Sequence, residues 1–536
     1  MVKYIAILFF ILSGGAIFGQ NEEGKKTIDI TSSFKPSLIP PKKIVPNAAP
    51  ITGSGVKPTL SYNIPAQQLA FKYTPSPLRP LAFSDTSMHQ EDRGYVKAGF
   101  GNFSSPYLKA ALNFGDGEKT NGNLEGLLTA AKGKLPNQKF ARYGIKATSI
   151  VQLNENHLLQ ARGGYYGRAL NRYGYKPDTL NPSKDSIALN YNDIHLGGTV
   201  GNSKAENFDI YYKATLDAHF FSDNHNGNET SLQYELPLEK ELNGKITIGV
   251  GVKGLYSSLN LADTAYKNNL TMVSAGAKVK LGDNTNLNAA LIPSWNNGDF
   301  SLLPSAEIES YLSGEGFAVQ AGVVGGFVEN TWRSLSTFNP WISQPDRVTN
   351  SRNMEVYGAI KGSLNESWFF RVKAHYSKRK DVALFMNDTL DGKSFEVVYE
   401  PSMNISGALV ELVWQKENKY SLTNRLSVQN YGGLEKYKEA YGLLPLELNS
   451  SFRGRLLDKL TAKGDLYLFT APWKIEKGKS DKGKAGIDLS LGGEFDLTKN
   501  LKLWLQFNNL FNNEYQRWNQ YPTLGFQAIG GVILSF

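Results

Sequence analysis

The chain has 536 residues, no cysteine and a formal net charge of +9 at pH 7. The missing thiols exclude disulfide scaffolds, zinc ribbons and thiol catalysis. The positive charge would suit nucleic acid and, better, acidic lipid headgroups or an anionic ligand, but a solvated surface is the favoured interpretation. We exclude nucleic acid as a partner because the chain carries the export signal described next.

The first residues predict a secretory signal peptide. Lys3 precedes an apolar run from Ile5 to Leu12, and small residues follow. This run is too short to span a bilayer, and we place cleavage near Gly19, so that residues 1–19 form the signal. No later stretch predicts a transmembrane helix. With a mean hydropathy of −0.33, the candidates are a large secreted β protein and an outer-membrane barrel.

Residues 20–91 predict an extended segment without a folded core. Ten of the 23 prolines lie between Pro36 and Pro80, and proline removes the backbone N–H that helices and central strands need. Polyproline-like extension is the expected state. The segment is mildly basic, and we expect it in the periplasm or in the lumen of a barrel.

A period-2 alternation of apolar and polar residues begins near residue 92 and continues to residue 536. The stretch 245–253, KITIGVGVK, places isoleucine and valine on one face and lysine, threonine and glycine on the other. The stretch 485–497, AGIDLSLGGEFDL, alternates in the same way. Such strands are about ten residues or longer, whereas globular strands usually have about five or six. A tilted strand needs about nine to eleven residues to cross a bilayer.

Short and long connections alternate along this region. Short turn sequences occur at 115–121, 154–156, 242–244, 282–285, 313–316, 365–367, 416–419, 458–459 and 498–500. Longer links occur at 166–185, 329–352, 378–393, 431–446, 471–483 and 509–524. Bacterial membrane barrels have short periplasmic turns, longer outer loops and an even number of strands. The pattern therefore predicts an all-β, transmembrane antiparallel barrel of about 22 strands over residues 92–536.

The last strand predicts a signal for barrel assembly. Val532, Leu534 and Phe536 alternate with inward-facing positions, so the outer face of the strand ends on an aromatic ring. Ile533 is expected on the inner face. Because an unpaired strand edge is costly in hydrocarbon, this last strand must find and pair with the first.

The stretch before the last strand resembles the C-terminus of TonB-dependent receptors. The resemblance rests on these residues: Asn509, Leu510, Phe511, Tyr515, Tyr521, Pro522 and Gly525. It implies a 22-stranded outer-membrane barrel. Members of the family also carry a globular plug before the barrel, and residues 20–91 lack the pattern of such a domain. Either this segment fills the lumen, a partner does, or the pore is open. A contact between TonB and residues 26–31, KTIDIT, is a hypothesis, and a disordered tail is the favoured interpretation.

Other motifs give no chemical site. Residues 249–254 match the letters G-x-G-x-x-G, but strand alternation continues through them and no helix follows, as a dinucleotide site would need. His219 and His225 stand near Asp217 and Asp223, and we interpret them as a strand end and a loop tip. We therefore predict no catalytic, cofactor or metal site, and no enzyme.

Aromatic and charged residues allow two interpretations each. Aromatic rings near strand ends predict membrane-interface girdles, namely Tyr95, Phe100, Tyr107, Trp295, Trp368, Phe369, Trp414, Trp473 and Trp518. Trp332, Trp341 and Trp518 are alternatively candidates for sugar stacking. Charges expected in the lumen either steer an anionic solute or, as we favour, pair with carboxylates opposite; they are Lys213, Lys253, Arg371 and Lys373.

Two functions follow from this interpretation. The first is uptake or passage of a solute across the outer membrane of a Gram-negative bacterium. The second is a non-transporting barrel subunit of an envelope assembly or secretion complex, which docks a partner through residues 20–91. The expected partners are outer-membrane lipids or lipopolysaccharide, the barrel-assembly machinery, and a periplasmic or outer-membrane protein.

Overall fold

The computed structural model describes residues 93–116, 119–177, 179–205, 209–262, 264–312, 316–417, 419–476 and 478–536. The predicted signal peptide and the proline-rich segment 20–91 lie outside these residues, and the predicted division of the chain stays a prediction. Within the ranges given, no helix is long and apolar enough to cross a membrane.

Most of the described chain forms long strands. They are β1 (Gly94–Gly101), β2 (Ser105–Gly115), β3 (Thr120–Lys132), β4 (Lys139–Gln152), β5 (His157–Asn171), β6 (Ala188–Asn202), β7 (Ile210–Asp223), β8 (Asn228–Glu241), β9 (Ile246–Asn260), β10 (Ala265–Lys280), β11 (Thr285–Asn296), β12 (Asp299–Leu312), β13 (Phe317–Val328), β14 (Ser351–Ser363), β15 (Trp368–Asn387), β16 (Phe395–Lys416), β17 (Tyr420–Gly432), β18 (Leu446–Leu457), β19 (Leu460–Phe469), β20 (Trp473–Glu476), β21 (Lys479–Lys482), β22 (Gly486–Asp496), β23 (Leu501–Asn508) and β24 (Gln527–Ser535). Two short helices, α1 (Lys184–Ile187) and α2 (Trp332–Phe338), lie in connections.

Twenty-two of these strands form one closed antiparallel barrel, which confirms the predicted fold class and strand number. Each strand pairs with its neighbours in sequence, except that β19 pairs with β22 across the separate hairpin of β20 and β21. The ring closes where β24 pairs with β1, from Tyr95 opposite Ser535 to Gly101 opposite Ile529. Closure leaves no free edge at this seam, as a sheet in hydrocarbon requires.

The two faces of the strands have the predicted character. Ile248 and Val250 are 44% and 53% exposed on the outside, although they are large and apolar. Asp488 and Glu494 are 1% and 4% exposed on the inside. Ile533 is also buried on the inner face, as predicted. The barrel is therefore apolar outside and polar inside, the distribution typical of a membrane barrel.

The connections separate between the two ends of the barrel. The chain enters β1 and leaves β24 at one end, which also carries the tight turns and which we call the turn end. The long links lie at the opposite end, the loop end. The expectation of a long link over residues 378–393 is wrong: β15 continues to Asn387 and pairs with β16 from Val382 opposite Glu400 onward. Val382 and Leu384 are buried against other links, and this packing extends the hairpin.

Candidate functional site at the loop end of the barrel

The links at the loop end pack together on the inner wall of the barrel. They form one apolar cluster, which we call the cap. Its buried members are Leu170, Leu189, Tyr191, Phe221, Leu259, Trp332, Leu335, Phe338, Trp341, Ile342, Val348, Val382, Leu384, Phe385, Phe395, Met403, Ile405, Ala440, Tyr441, Leu443, Trp518 and Tyr521. Because this cluster contains residues of both the wall and the links, the links lie within the mouth of the barrel and do not extend into solvent.

Helix α2 lies across this mouth. At one side Arg168 on β5 donates a hydrogen bond to the carbonyl oxygen of Ser336 at 3.0 Å. At the other side the ring of Phe338 packs against Phe385 on β15, with 4.6 Å between ring centroids. The fifth and fifteenth strands stand nearly opposite each other in a ring of 22. Helix α2 therefore contacts both β5 and the loop-end extension of β15.

A buried carboxylate fixes the start of α2. Glu229, at the loop end of β8, accepts hydrogen bonds from the backbone N–H groups of Trp332 and Arg333 at 2.7 and 2.9 Å. Thr331 and Ser334 add a capping box. A negative charge at a helix N-terminus satisfies amides that have no partner inside the helix and faces the positive end of the helix dipole. The residue is 2% exposed, so this contact is shielded from water.

A second buried carboxylate holds the link between β17 and β18. Glu400 on β16 is fully buried. Its oxygens accept hydrogen bonds from the backbone N–H groups of Glu435 at 2.8 Å and Tyr437 at 2.9 Å. Charge-assisted bonds of this kind are about twice as strong as neutral ones. Glu229 and Glu400 were not predicted as functional residues. The available signal was an acidic residue at an inward position near the loop end of a strand.

The residues that carry the family resemblance form the link between β23 and β24. Asn509 begins this link, and its backbone N–H donates to Asp488 at 3.2 Å. The Tyr515 hydroxyl donates to the same carboxylate at 3.1 Å. The Asn509 side chain donates to the carbonyl oxygen of Leu524 at 2.8 Å. Asp488 on β22 therefore ties the first half of the link to the inner wall. Leu510 and Phe511 lie at its turn, where the Phe511 ring is exposed.

The second half of this link enters the cap. Tyr521 is fully buried and stacks on Trp341, with 4.1 Å between ring centroids. Burial raises the pKa of the Tyr521 phenol well above its usual value. The carbonyl oxygen of Pro522 accepts bonds from Tyr173 and Gln138 at 2.9 and 3.0 Å. Gly525 leaves room for the Asn512 side chain, which a β-carbon would approach to 2.5 Å.

A cavity remains between the cap and the wall formed by β4 and β5. Its lining residues are Gln138, Lys139, Phe140, Arg142, Arg168, Leu170, Tyr173, Pro340, Trp341, Thr523 and Leu524. This lining holds the cations Arg142 and Arg168, three aromatic rings and no acidic residue. The side chain of Lys139 points to the outer wall. Arg168 is fixed by Ser336 and by the Tyr191 ring, 4.7 Å from its guanidinium carbon. Its Nε has no partner among the described residues. An anionic group with an apolar body fits these walls.

Below the cap, charged residues on the inner wall form pairs. Lys373 lies 2.5 Å from Glu355, and the two side chains are 1% and 9% exposed. Lys97 and Lys463 share Glu494 at 3.1 and 2.6 Å. We favoured the interpretation that lumen charges pair with carboxylates opposite. The contact with Glu355 shows this pairing for Lys373.

The histidine and aspartate residues considered for metal binding have separate partners. Asp217 binds His195 at 2.8 Å and Arg162 at 3.1 Å. His219 binds Asp193 at 3.1 Å. His225 contacts the carbonyl oxygen of Ala188. Over the described ranges, no group of three such side chains is placed to hold a metal ion. Residues 249–254 lie within β9, where the glycines meet no helix start.

Some of the rings predicted for the girdle face outward, as that prediction requires, and others do not. Phe100 and Trp295 are 63% and 42% exposed on the outer face. In contrast, Tyr95 and Phe369 are buried on the inner face, where Tyr107 also packs against Trp504. Trp518 belongs to the cap, and Trp473 packs against it. Trp332, Trp341 and Trp518 are also buried, so they offer no free face for sugar stacking.

Comparison with known proteins gives structural neighbours only. No protein-family model matches the chain. No curated protein matches it. Among solved structures, the siderophore receptor PirA from Acinetobacter baumannii is similar, with a TM-score of 0.63 and 9% identity over 83% of this chain and 80% of that chain. The FrpB iron transporter from Neisseria meningitidis has a TM-score of 0.62 and 11% identity over 83% and 81%.

The ferric-catecholate import receptor Fiu from E. coli K12 is similar to the same degree. Its TM-score is 0.62, with 10% identity over 83% of this chain and 82% of that chain. At such identities the likeness establishes the fold. The chain therefore has the barrel fold of TonB-dependent siderophore receptors, as the resemblance at its C-terminus implied.

Proposed function

We propose that this protein is an integral outer-membrane receptor that takes up a solute through its barrel. The observation that carries the proposal is a closed ring of 22 strands whose mouth is crossed by packed links. Membrane barrels carry their longer loops on the outside, so the loop end faces the medium and the turn end faces the periplasm. The proposal assigns no chemical reaction to the protein.

The cap is the entry gate in this proposal. Its links are held by a few buried carboxylates, Glu229, Glu400 and Asp488, each of which binds backbone or phenol donors. A solute passes only when links leave the mouth. Ligand binding can shift such an equilibrium only by the difference between its affinities for the closed and the open state, and the cavity beside Trp341 is where that difference would arise.

We propose an anionic metal chelate as the solute. The structural neighbours are named as receptors or transporters of siderophores and iron. The cavity next to the cap supports this class, because Arg142 and Arg168 line it without an acidic residue, and Trp341 and Tyr173 provide apolar walls. Iron chelates with catechol or carboxylate ligands carry negative charge and flat apolar surface, which these walls would complement.

The test is uptake by cells that make the protein. We expect cells with the protein to accumulate radiolabelled ferric chelate above cells without it. The double variant Arg142→Gln/Arg168→Gln should reduce uptake about tenfold or more, since two charge-assisted contacts to an anion are lost. The matched control, Lys176→Gln/Lys438→Gln, removes two exposed charges outside the cavity and should leave uptake unchanged. Equal uptake with and without the protein, across ferric chelates and other small anions, would contradict the proposal.

The second function stays open because of residues 20–91. This stretch is proline-rich and lacks the pattern of a globular plug, and an extended arm suits docking to a partner. Co-purification from native membranes, with and without residues 21–90, tests it. A partner lost on deletion supports a docking subunit. A lone barrel in both samples contradicts it. Higher conductance of the deleted protein in planar bilayers would show instead that the segment fills the lumen.

A further inference from the structure

Two cationic clusters stand on the outer wall of the barrel at the loop end. In the first, Lys132 on β3 lies directly opposite Lys139 on β4, and Lys134 follows in the connecting link. Ala131 is buried and Phe140 packs on the cap, so the alternation turns both lysines outward. All three lysines are exposed.

The second cluster repeats this arrangement on another part of the ring. Arg352 on β14 lies directly opposite Lys380 on β15, and Lys378 is the next outward residue. Ser377 is fully buried on the inner face, which places Lys378 and Lys380 outside. Both are exposed. Like charges directly opposite each other destabilise an antiparallel pair, and both clusters place such a pair on the outer face.

No acidic side chain of the described residues forms an ion pair with any of these six cations. Arg352 donates a hydrogen bond to the Ser301 hydroxyl at 2.9 Å. Other cations at the loop end do have partners, such as Arg347 with Asp381 at 2.9 Å. The cations of the two clusters therefore lack the carboxylate partners that other cations at the loop end have.

In each cluster an outward tyrosine follows four residues along the strand from a cation. On β4 the outward residues after Lys139 lead to Tyr143, which packs near Tyr165, and then to Ile145, which is 49% exposed. On β15 Lys380 and Lys378 precede Tyr376, which is 53% exposed, and then Val372. Four residues along a strand span about 13 Å. Aromatic rings mark the interface of the bilayer, so the cations stand at the level of the lipid headgroups.

We propose that these two clusters bind the phosphate groups of anionic lipid in the outer leaflet. The proposal rests on the outer-membrane location proposed above. Each cluster combines cations without counter-charges, an aromatic ring at the interface and an apolar face below it, which together match a phosphate headgroup and its acyl chains. The clusters fix the height of the barrel in the membrane through this lipid.

The test uses the full-length protein in detergent, titrated with diphosphoryl lipid A and measured by native mass spectrometry. We expect bound lipid A on the wild type and little bound phosphatidylcholine. The variant Lys132→Gln/Lys134→Gln/Lys378→Gln/Lys380→Gln should bind lipid A at least about tenfold more weakly. The control Lys176→Gln/Lys438→Gln/Lys479→Gln/Lys484→Gln removes the same charge from exposed link residues and should bind as the wild type does.

Three outcomes would overturn the proposal: lipid A binding that is equal in both variants, no preference over phosphatidylcholine, or displacement of lipid A by millimolar inorganic phosphate. A band that changes its gel mobility on heating shows that each variant is folded. Insertion into planar bilayers tests the membrane location separately. If the barrel inserts into bilayers but the wild type and both variants bind lipid A equally, only the lipid-binding role of the clusters is refuted.

Discussion

The indole Nε1 of Trp504 donates a hydrogen bond to the carbonyl oxygen of Ala98 at 3.1 Å, across the seam where the barrel closes. Trp504 lies on β23 and Ala98 on β1, with β24 between them. The ring crosses Gly531, and a β-carbon at Gly99 would clash with it. Lys97 lies 4.5 Å from the ring centroid and pairs with Glu494 on β22. Trp504 and Lys97 together thus join the last three strands to the first.

This relationship predicts that Trp504 stabilises barrel closure. Trp504→Phe should cost about 1 kcal/mol of unfolding free energy, because the ring stays but the hydrogen bond is lost. Trp504→Ala should cost about 3–5 kcal/mol, since it also leaves a cavity on the inner wall. The measurement is the temperature at which the folded band converts to the unfolded band in a detergent gel. Trp295→Ala is the control, because that ring is 42% exposed outside the seam. Equal losses at both positions would contradict the role of the seam.

A second prediction concerns the gate. Glu229→Gln keeps the shape of the side chain but removes the charge that holds the two N-terminal amides of α2. Loss of a charged hydrogen-bond acceptor costs about 1.5–3 kcal/mol, and we expect the links to leave the mouth more often. Single-channel recording in planar bilayers should show more frequent openings than in the wild type. Glu241→Gln, at the exposed turn end of the same strand, should leave the recording unchanged. Identical traces for both variants would exclude α2 as part of the gate.

The third prediction is the behaviour of the cap at high pH. Burial raises the pKa of Tyr521 well above its usual value, whereas an unfolded tyrosine titrates near pH 10. The folded state therefore keeps this phenol protonated, and the stability it contributes is present below about pH 10 and falls as the pH rises further. Tyr521→Phe should show a weaker loss of stability between about pH 10 and 11.

Ultraviolet absorbance of phenolate checks this directly. In the folded protein, Tyr521→Phe should leave the absorbance change at about pH 11 unaltered, because the phenol is not ionised there. In denaturant the absorbance change of the variant should be smaller than that of the wild type by the contribution of one tyrosine. This difference serves as the internal control. If the folded variant already shows a smaller absorbance change than the folded wild type, then water reaches Tyr521 and the cap is loosely packed.

Sequence periodicity was enough to predict the barrel but not the cap. Alternation fixes which side of the sheet a residue faces, as Asp488 and Val250 show, and turn chemistry fixes the strand count. The position of Trp518 is different in kind. It lies in a link with no period, and its neighbours Phe338, Phe385 and Phe395 come from three other elements. Nothing in the local sequence distinguishes such a ring from a girdle residue.

The carboxylates that hold the links illustrate the same limit. Glu229 and Glu400 are inward residues on strands, and the pattern alone predicts polar lumen positions there. Their roles depend on amides that lie 103 and 35 residues further along the chain. Because these bonds join a strand to a link that is distant in sequence, they follow from tertiary structure and not from spacing.

The last prediction separates buried from exposed pairs on the inner wall. Lys373→Met leaves Glu355 without its nearest cation at a site where the two side chains are 1% and 9% exposed. Removal of one partner from a buried pair costs about 3–5 kcal/mol. Lys278→Met breaks the pair with Glu239, whose side chains are both 36% exposed, and should cost about 1 kcal/mol or less. Conversion temperatures in a detergent gel compare the two variants, and Glu355→Gln combined with Lys373→Met should recover part of the loss. Similar costs at both pairs would mean that water fills the lumen beside Lys373.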